Sequence, residues 1–95
     1  MNKKDFKGIM EQIDFLSQKY FGVVVDLGLG EYELIINHIS NFESKYDYYI
    51  KAYDDNMLHY HAPIRIVDVI AGDDITTIVE GYELYNSDKE LRIME

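Results

Sequence analysis

The chain reads as an α+β fold: a single small domain in which two amphipathic helices pack on a mainly antiparallel sheet of about five strands. Three observations predict it. Residues 3–20 and 40–57 space their apolar side chains by three and four, the period of a helix. The stretches between and after them are short, rich in Val, Ile and Tyr, and bounded by Gly, Asn and Asp, which is the pattern of strands and turns. Finally, 95 residues with 47% hydrophobic content and no repeat or low-complexity linker suffice for one domain, residues 1–95, with one modest core.

The first helix places Phe6, Ile9, Met10, Ile13, Leu16 and Tyr20 on one face, with Asn2 and Asp5 positioned to cap its free amides. Gly8 falls on the polar face and costs about 1 kcal/mol relative to Ala, too little to break the helix. From Phe21 the period changes. Val23, Val24 and Val25 are β-branched and Gly28-Leu29-Gly30 supplies a turn, so residues 21–27 and 32–39 read as a hairpin. A helix over residues 32–57 also fits one face. The choice turns on Ser40, which forms the S-x-x-E capping pattern with Glu43 and starts a new helix there. On that helix Phe42, Tyr46, Tyr49, Ile50, Tyr53 and Met57 share an arc of roughly 100° and are core candidates. Tyr48 points the other way, beside Asp47, Lys51 and Asp55, and is expected to be exposed. Beyond Pro63, residues 64–70 are apolar on both faces and read as a central strand. Gly72-Asp73-Asp74 reads as a turn, and residues 75–80 as the antiparallel neighbour, with Gly81 a bulge or bend. Residues 82–85, the Asn86-Ser87-Asp88 turn and residues 91–94 close a last hairpin.

Charge is distributed unevenly. Residues 1–20 carry Lys3, Lys4, Lys7 and Lys19 against Asp5, Glu11 and Asp14, a net of +1, while residues 21–95 carry fifteen acids against five bases, a net of −10. Such an excess opposes compaction, so it speaks to solubility and partners rather than architecture. Disorder does not follow from it, because 14% aromatics and twelve isoleucines are unlike a disordered acidic chain. No apolar run approaches the roughly 18 residues that span a bilayer. The N-terminal lysines are followed by an amphipathic pattern rather than a signal peptide's apolar core. The absence of cysteine fits a reducing compartment, and the expected location is the cytoplasm. Abundant Ile, Asn, Lys, Tyr and Asp is the bias an AT-rich genome imposes, which points to a bacterial or phage source.

Enzymatic signatures are missing. The serines lack a nucleophile-elbow context. Gly28-x-Gly30 lacks the third glycine and the following helix of a dinucleotide site. Direct nucleic-acid binding is opposed by nine bases among eighteen acids. His59 and His61, spaced to project to one side of an extended backbone, offer half a zinc site near Asp54, Asp55 and His38. A metal-dependent enzyme using these histidines is therefore a minor alternative.

Surface recognition is the leading class. Nine tyrosines and no tryptophan supply rigid side chains of the kind enriched at binding hot spots. Several stand among acids: Tyr32, Tyr48, Tyr82 and Tyr85. Two groups of acids are candidates for a partner-binding face. One is Asp47, Asp54 and Asp55 with Tyr48; the other is Asp68, Asp73, Asp74, Glu80, Glu83, Asp88 and Glu90 with Tyr85. Duplex DNA carries a charge every ~1.7 Å of axis, so a charge mimic requires about six to ten carboxylates on one face. The expected function is that of a small, non-enzymatic, cofactor-free inhibitor, encoded by a phage or mobile element. It would block a basic nucleic-acid-binding surface of a target such as a host-defence nuclease. The alternative is an immunity-type or adaptor protein acting through a homo- or hetero-oligomeric interface.

Overall fold

The computed structural model describes residues 1–16, 18–28, 31–83 and 91–94. In order they form α1 (Lys3–Leu16), β1 (Tyr20–Asp26), β2 (Tyr32–His38), a 3-10 turn (Ile39–Asn41), α2 (Phe42–Ala52), β3 (Arg65–Gly72), α3 (Ile75–Glu83) and β4 (Leu91–Met94). The sheet order is β3-β1-β2-β4. β1 runs antiparallel to both of its neighbours, while β4 lies parallel to β2. The α+β class holds, with three helices around an antiparallel β3-β1-β2 sheet instead of two helices on five strands.

The first helix forms for the reason expected. Asp5 N–H donates to Asn2 Oδ1 at 2.8 Å and Asn2 N–H donates to Asp5 Oδ2 at 3.3 Å, a reciprocal cap that satisfies two otherwise free amides. Phe6, Met10 and Ile13 are buried, and the helix ends at Leu16, leaving Tyr20 to begin β1. The hairpin forms close to its expected limits, so the helical alternative for residues 32–39 is excluded.

β1 is buried from Phe21 to Val25 because both faces of the sheet are covered. Alternation divides its side chains. Phe21, Val23 and Val25 pack with Phe6 and Met10 of α1 and with Phe42, Tyr49, Tyr53 and Met57 of and after α2. Val24 faces the other way, into a smaller cluster with Leu34, Ile36, Ile78 and Tyr82. The molecule thus has three layers, α1 and α2 on one face of the sheet and α3 on the other.

Several expectations are overturned. Residues 75–80 form the start of α3, not a strand, and Gly81 lies inside that helix. Ile75, Ile78, Val79 and Tyr82 make a helical stripe against the sheet, and Asp74 Oδ1 caps the first turn by accepting from Thr77 N–H at 2.7 Å and Thr77 Oγ1 at 2.9 Å. Glycine lets the helix settle closely: a Cβ on Gly22 of β1 would stand 2.6 Å from Ile78 Cγ2, and one on Gly81 would stand 3.2 Å from Ile70 Cγ2. β3 is an edge strand, not a central one; its apolar residues are explained by helices on both faces.

The Ser40–Glu43 capping box does not form. Ser40 N–H donates to His38 Nδ1 at 3.1 Å, which fixes the 3-10 turn, and α2 starts two residues later after Asn41. Tyr46 and Ile50 are half-buried, whereas the other four core candidates of that segment are buried. The last hairpin is also replaced. Tyr82 closes α3, residues 84–90 lie outside the described residues, and Leu91–Met94 pairs in parallel with β2. Because β3 and β4 run the same way on opposite edges, α3 belongs to a crossover spanning β1 and β2, as parallel pairing requires. No helix among the described residues is long and apolar enough to cross a membrane.

Candidate functional site

The two acidic groups fall on opposite faces of the sheet. Asp47, Tyr48, Asp54 and Asp55 belong to the α1/α2 layer. Asp68, Asp73, Asp74, Glu80 and Glu83 belong to β3, α3 and the turn between them. Tyr85 and Asp88, like Glu90, lie outside the described residues.

In the α1/α2 layer the three candidate acids are taken up by the chain itself or stand beside its lysines, whereas Glu11, Asp14 and Glu43 are exposed. Asp47 pairs with Lys51 at 2.9 Å, one helical turn away. Asp54 Oδ1 accepts from Asn56 N–H at 2.8 Å and Leu58 N–H at 3.0 Å, holding the turn that places buried Met57 at φ 58. Asp55 is exposed, in a shallow groove shared with Lys3, Lys4 and Lys7. Charges of both signs alternate over this layer.

The α3 layer is different. Residues 66–83 contain five acids and no Lys or Arg. Asp73, Asp74, Glu80 and Glu83 are exposed, and Asp68 is half-buried with Oδ1 accepting from Val69 N–H at 2.8 Å. Lys19 meets this edge with its backbone N–H, which donates to Asp73 Oδ1 at 3.4 Å. The bonds from the Thr77 backbone and then its hydroxyl hold the Asp74 carboxyl below its usual range, so it is ionised wherever the protein is folded at neutral pH. On the outward stripe of α3, Glu80 and Glu83 lie about 60° apart. They occupy the last turn, which has no basic residue, at the end of the helix where the backbone dipole disfavours negative charge. Among the described residues neither Glu80 nor Glu83 makes an ion pair.

Tyr48 is 49% exposed, as its helical position predicts, but it faces a cleft between α2 and the β1–β2 hairpin instead of an acidic surface. Tyr49, Tyr53, His59, Lys45 and Glu33 line the same cleft. Burial, with smaller contributions from neighbouring tyrosines, raises the Tyr49 hydroxyl well above its usual range and pushes Tyr53 up to about 12. Sequence reading missed Glu33. The signal was present: on β2 it shares a face with Ile35 and Asn37, the face that alternation turns toward α2.

The histidines are used locally. His38 Nδ1 accepts from Ser40 N–H, and His59 Nδ1 accepts from His61 N–H at 2.9 Å. Among the described residues no group of three His, Asp or Glu side chains is placed to hold a metal ion. No family model, curated protein or solved structure matches this chain.

Proposed function

We propose that this protein is a non-enzymatic, cytoplasmic inhibitor that uses its α3 layer to occupy a basic surface on a nucleic-acid-processing protein, such as a host-defence nuclease. The observation that carries this reading is the run of five acids with no Lys or Arg over residues 66–83, which follows Arg65 at the start of β3, with Glu80 and Glu83 set against the helix dipole. Charge that opposes the fold and is unpaired by any base of its own element is well suited to an external cation.

Magnitudes support the surface as a local concentration. The chain exposes 5784 Å², and one partner's share of a standard interface is about 800 Å². Spread evenly, eighteen acids would put about two or three in such a patch, whereas four exposed carboxylates lie along α3 and its capping turn. From Asp73 to Glu83 is about 15 Å at helical rise, a mean spacing of about 5 Å between the four carboxylates. Phosphates on one DNA strand are spaced by about 3.4 Å. The described acids number fewer than the six to ten that a full mimic requires; Asp88 and Glu90 are the remaining candidates.

The test is competition. A protein retained by the immobilised chain at low salt should lose its bound nucleic acid when the wild type is added, and keep it when an Asp73→Asn, Glu80→Gln, Glu83→Gln variant is added. Equal displacement by both proteins overturns the proposal.

One observation favours the adaptor alternative. Phe15 and Leu16, at the end of α1, are 86% and 60% exposed. An apolar tip of this kind suits a contact with another chain. On that reading Phe15→Ser with Leu16→Ser should lower the apparent mass in sedimentation, and an unchanged mass removes it.

A further inference from the structure

Two features of α1 have no use inside the chain. Gly8 stands in the middle of the helix, where glycine is disfavoured more than any residue but proline. A Cβ added there would meet nothing within 4 Å, so no neighbour in the fold demands its absence. Phe15, two turns further on, is 86% exposed. With Lys4 as origin and about 100° per residue, Gly8, Glu11 and Phe15 fall within about 40° of one outward line. Buried Phe6, Met10 and Ile13 lie opposite. Gly8 is a low point on that line: it shares one shallow depression with Lys4 and Glu11 and another with Lys4, Ile9 and Gln12.

A protruding ring and a notch on the same face, about 10 Å apart, form a self-complementary surface. That is what a two-fold contact between identical chains requires. Two copies of α1 laid antiparallel seat each Phe15 over Gly8 of the partner subunit, with the two-fold axis beside Glu11 and Gln12. Lys7 and Asp14 lie on one flank of the outward line, about 60° and 80° round. In an antiparallel pair like flanks meet, so Lys7 of each copy stands opposite Asp14 of the partner subunit, about 3 Å out of register. Among the described residues Asp14 forms no ion pair, and Lys7 stands beside Glu43, Asp47 and Asp55 without pairing to any of them.

We propose that this face of α1 is a self-association surface, each Phe15 entering the notch at Gly8 of a second copy and each Lys7 pairing with that copy's Asp14. The proposal builds on the exposed tip that favours the adaptor reading and commits it to one occupant. Charge selects that occupant. The helix carries three lysines and three acids within a chain of net charge −9, so two copies meet here without the repulsion that their other surfaces impose. Glu11 opposes the contact by meeting its own copy near the axis, and the two Lys7 side chains on the same flank offset part of that repulsion. An interface one helix wide falls short of the roughly 1,200 Å² of stable complexes, so the dimer is weak and reversible. It leaves the α3 layer of both copies free, on the other side of the sheet.

The experiment is sedimentation equilibrium of the full chain from about 10 μM to about 1 mM. The wild type should move from monomer mass toward twice that mass. Phe15→Ser should weaken association about tenfold or more. Gly8→Gln improves helix propensity, so the fold is not at risk, yet it fills the notch and should weaken association about tenfold. Lys7→Glu and Asp14→Lys should each weaken it about threefold to tenfold, and the double variant should recover the wild-type affinity to within about threefold. Asp14→Lys also lowers the net negative charge, so general repulsion alone predicts the opposite sign. Association of Gly8→Gln equal to wild type, or a double variant no better than either single one, overturns the proposal. If Phe15→Ser alone abolishes association, the exposed tip still serves a contact but the Gly8 notch does not, and the adaptor reading survives without this inference. A wild type that stays monomeric to about 1 mM overturns the second copy as occupant, and its binding to vesicles of anionic lipid would assign the face to a membrane instead.

Discussion

The candidate acids on the two faces of the sheet are held differently. On the α1/α2 side, Asp47 is paired with a lysine, Asp54 is bonded into a turn and Asp55 neighbours three lysines. On the α3 side, Asp74 caps a helix, yet Asp73, Glu80 and Glu83 have no base within residues 66–83. The cores differ in the same sense. Among the described residues, twelve buried side chains hold α1, α2 and the sheet together, while the cluster beneath α3 has five. Among the candidate acids, those taken up by local structure lie on the α1/α2 side and those turned outward lie on the α3 side. The difference teaches that net charge alone does not identify a binding surface; what an acid already does for the chain must be subtracted first.

This contrast is sharpest at the cores. Ile78→Ala should destabilise the protein by about 2–5 kcal/mol and should raise hydrogen exchange in α3 more than in α1. Equal loss of protection in both helices would mean that the layers unfold as one unit. A smaller effect is expected at the sheet beneath. Gly22→Ala would drive a methyl into Ile78 and should cost about 1–3 kcal/mol, read from urea unfolding, whereas Gly8→Ala on the open face of α1 should stabilise by up to about 1 kcal/mol.

Charge removal should have opposite signs on the two sides. Glu80→Gln with Glu83→Gln should stabilise by about 0.3–1 kcal/mol per site at low salt. Asp47→Asn should destabilise by about 0.3–0.5 kcal/mol. If both changes lower stability, Glu80 and Glu83 serve the fold and the reading of α3 as an outward surface is wrong. The smallest effect concerns pH. Asp74 has its folded pKa depressed, so its contribution is present above the ordinary aspartate value of 3.8 and is lost as pH falls through the lower folded value. The melting temperature of Asp74→Ala should lie a few degrees below wild type at neutral pH, and the gap should close below about pH 4.

Much of the α1/α2 side was legible in the sequence. The Asn2–Asp5 cap, the amphipathic stripe of α1, the β1–β2 hairpin and the exposure of Tyr48 follow from local spacing, and local spacing is what sequence displays. The α3 side was less legible. Ile75, Thr76, Thr77, Ile78 and Val79 are β-branched and read as a strand, although Ile75, Ile78, Val79 and Tyr82 also sit at helical intervals and Asp74 stands three residues before Thr77. Tertiary packing on Gly22 decided between them. The parallel pairing of β4 depends on a partner over fifty residues away, for which the chain carries no local mark. Of the candidate acids, sequence identified both groups but not that a sheet separates them, and it missed Glu33 because the tyrosine cleft is assembled from three separate segments.

The most direct measurement is parallel affinity capture from bacterial lysate on three immobilised proteins: wild type, an Asp73→Asn, Glu80→Gln, Glu83→Gln variant, and an Asp47→Asn, Asp55→Asn variant. All three would be eluted with a salt gradient, over which the screening length falls from about 10 Å at 0.1 M to about 3 Å at 1 M. A basic protein should be held by the wild type and by the α2 variant, be absent from the α3 variant, and be released early in the gradient. Retention of the same protein by the α3 variant, or its loss from the α2 variant instead, would contradict the assignment of the binding surface to α3.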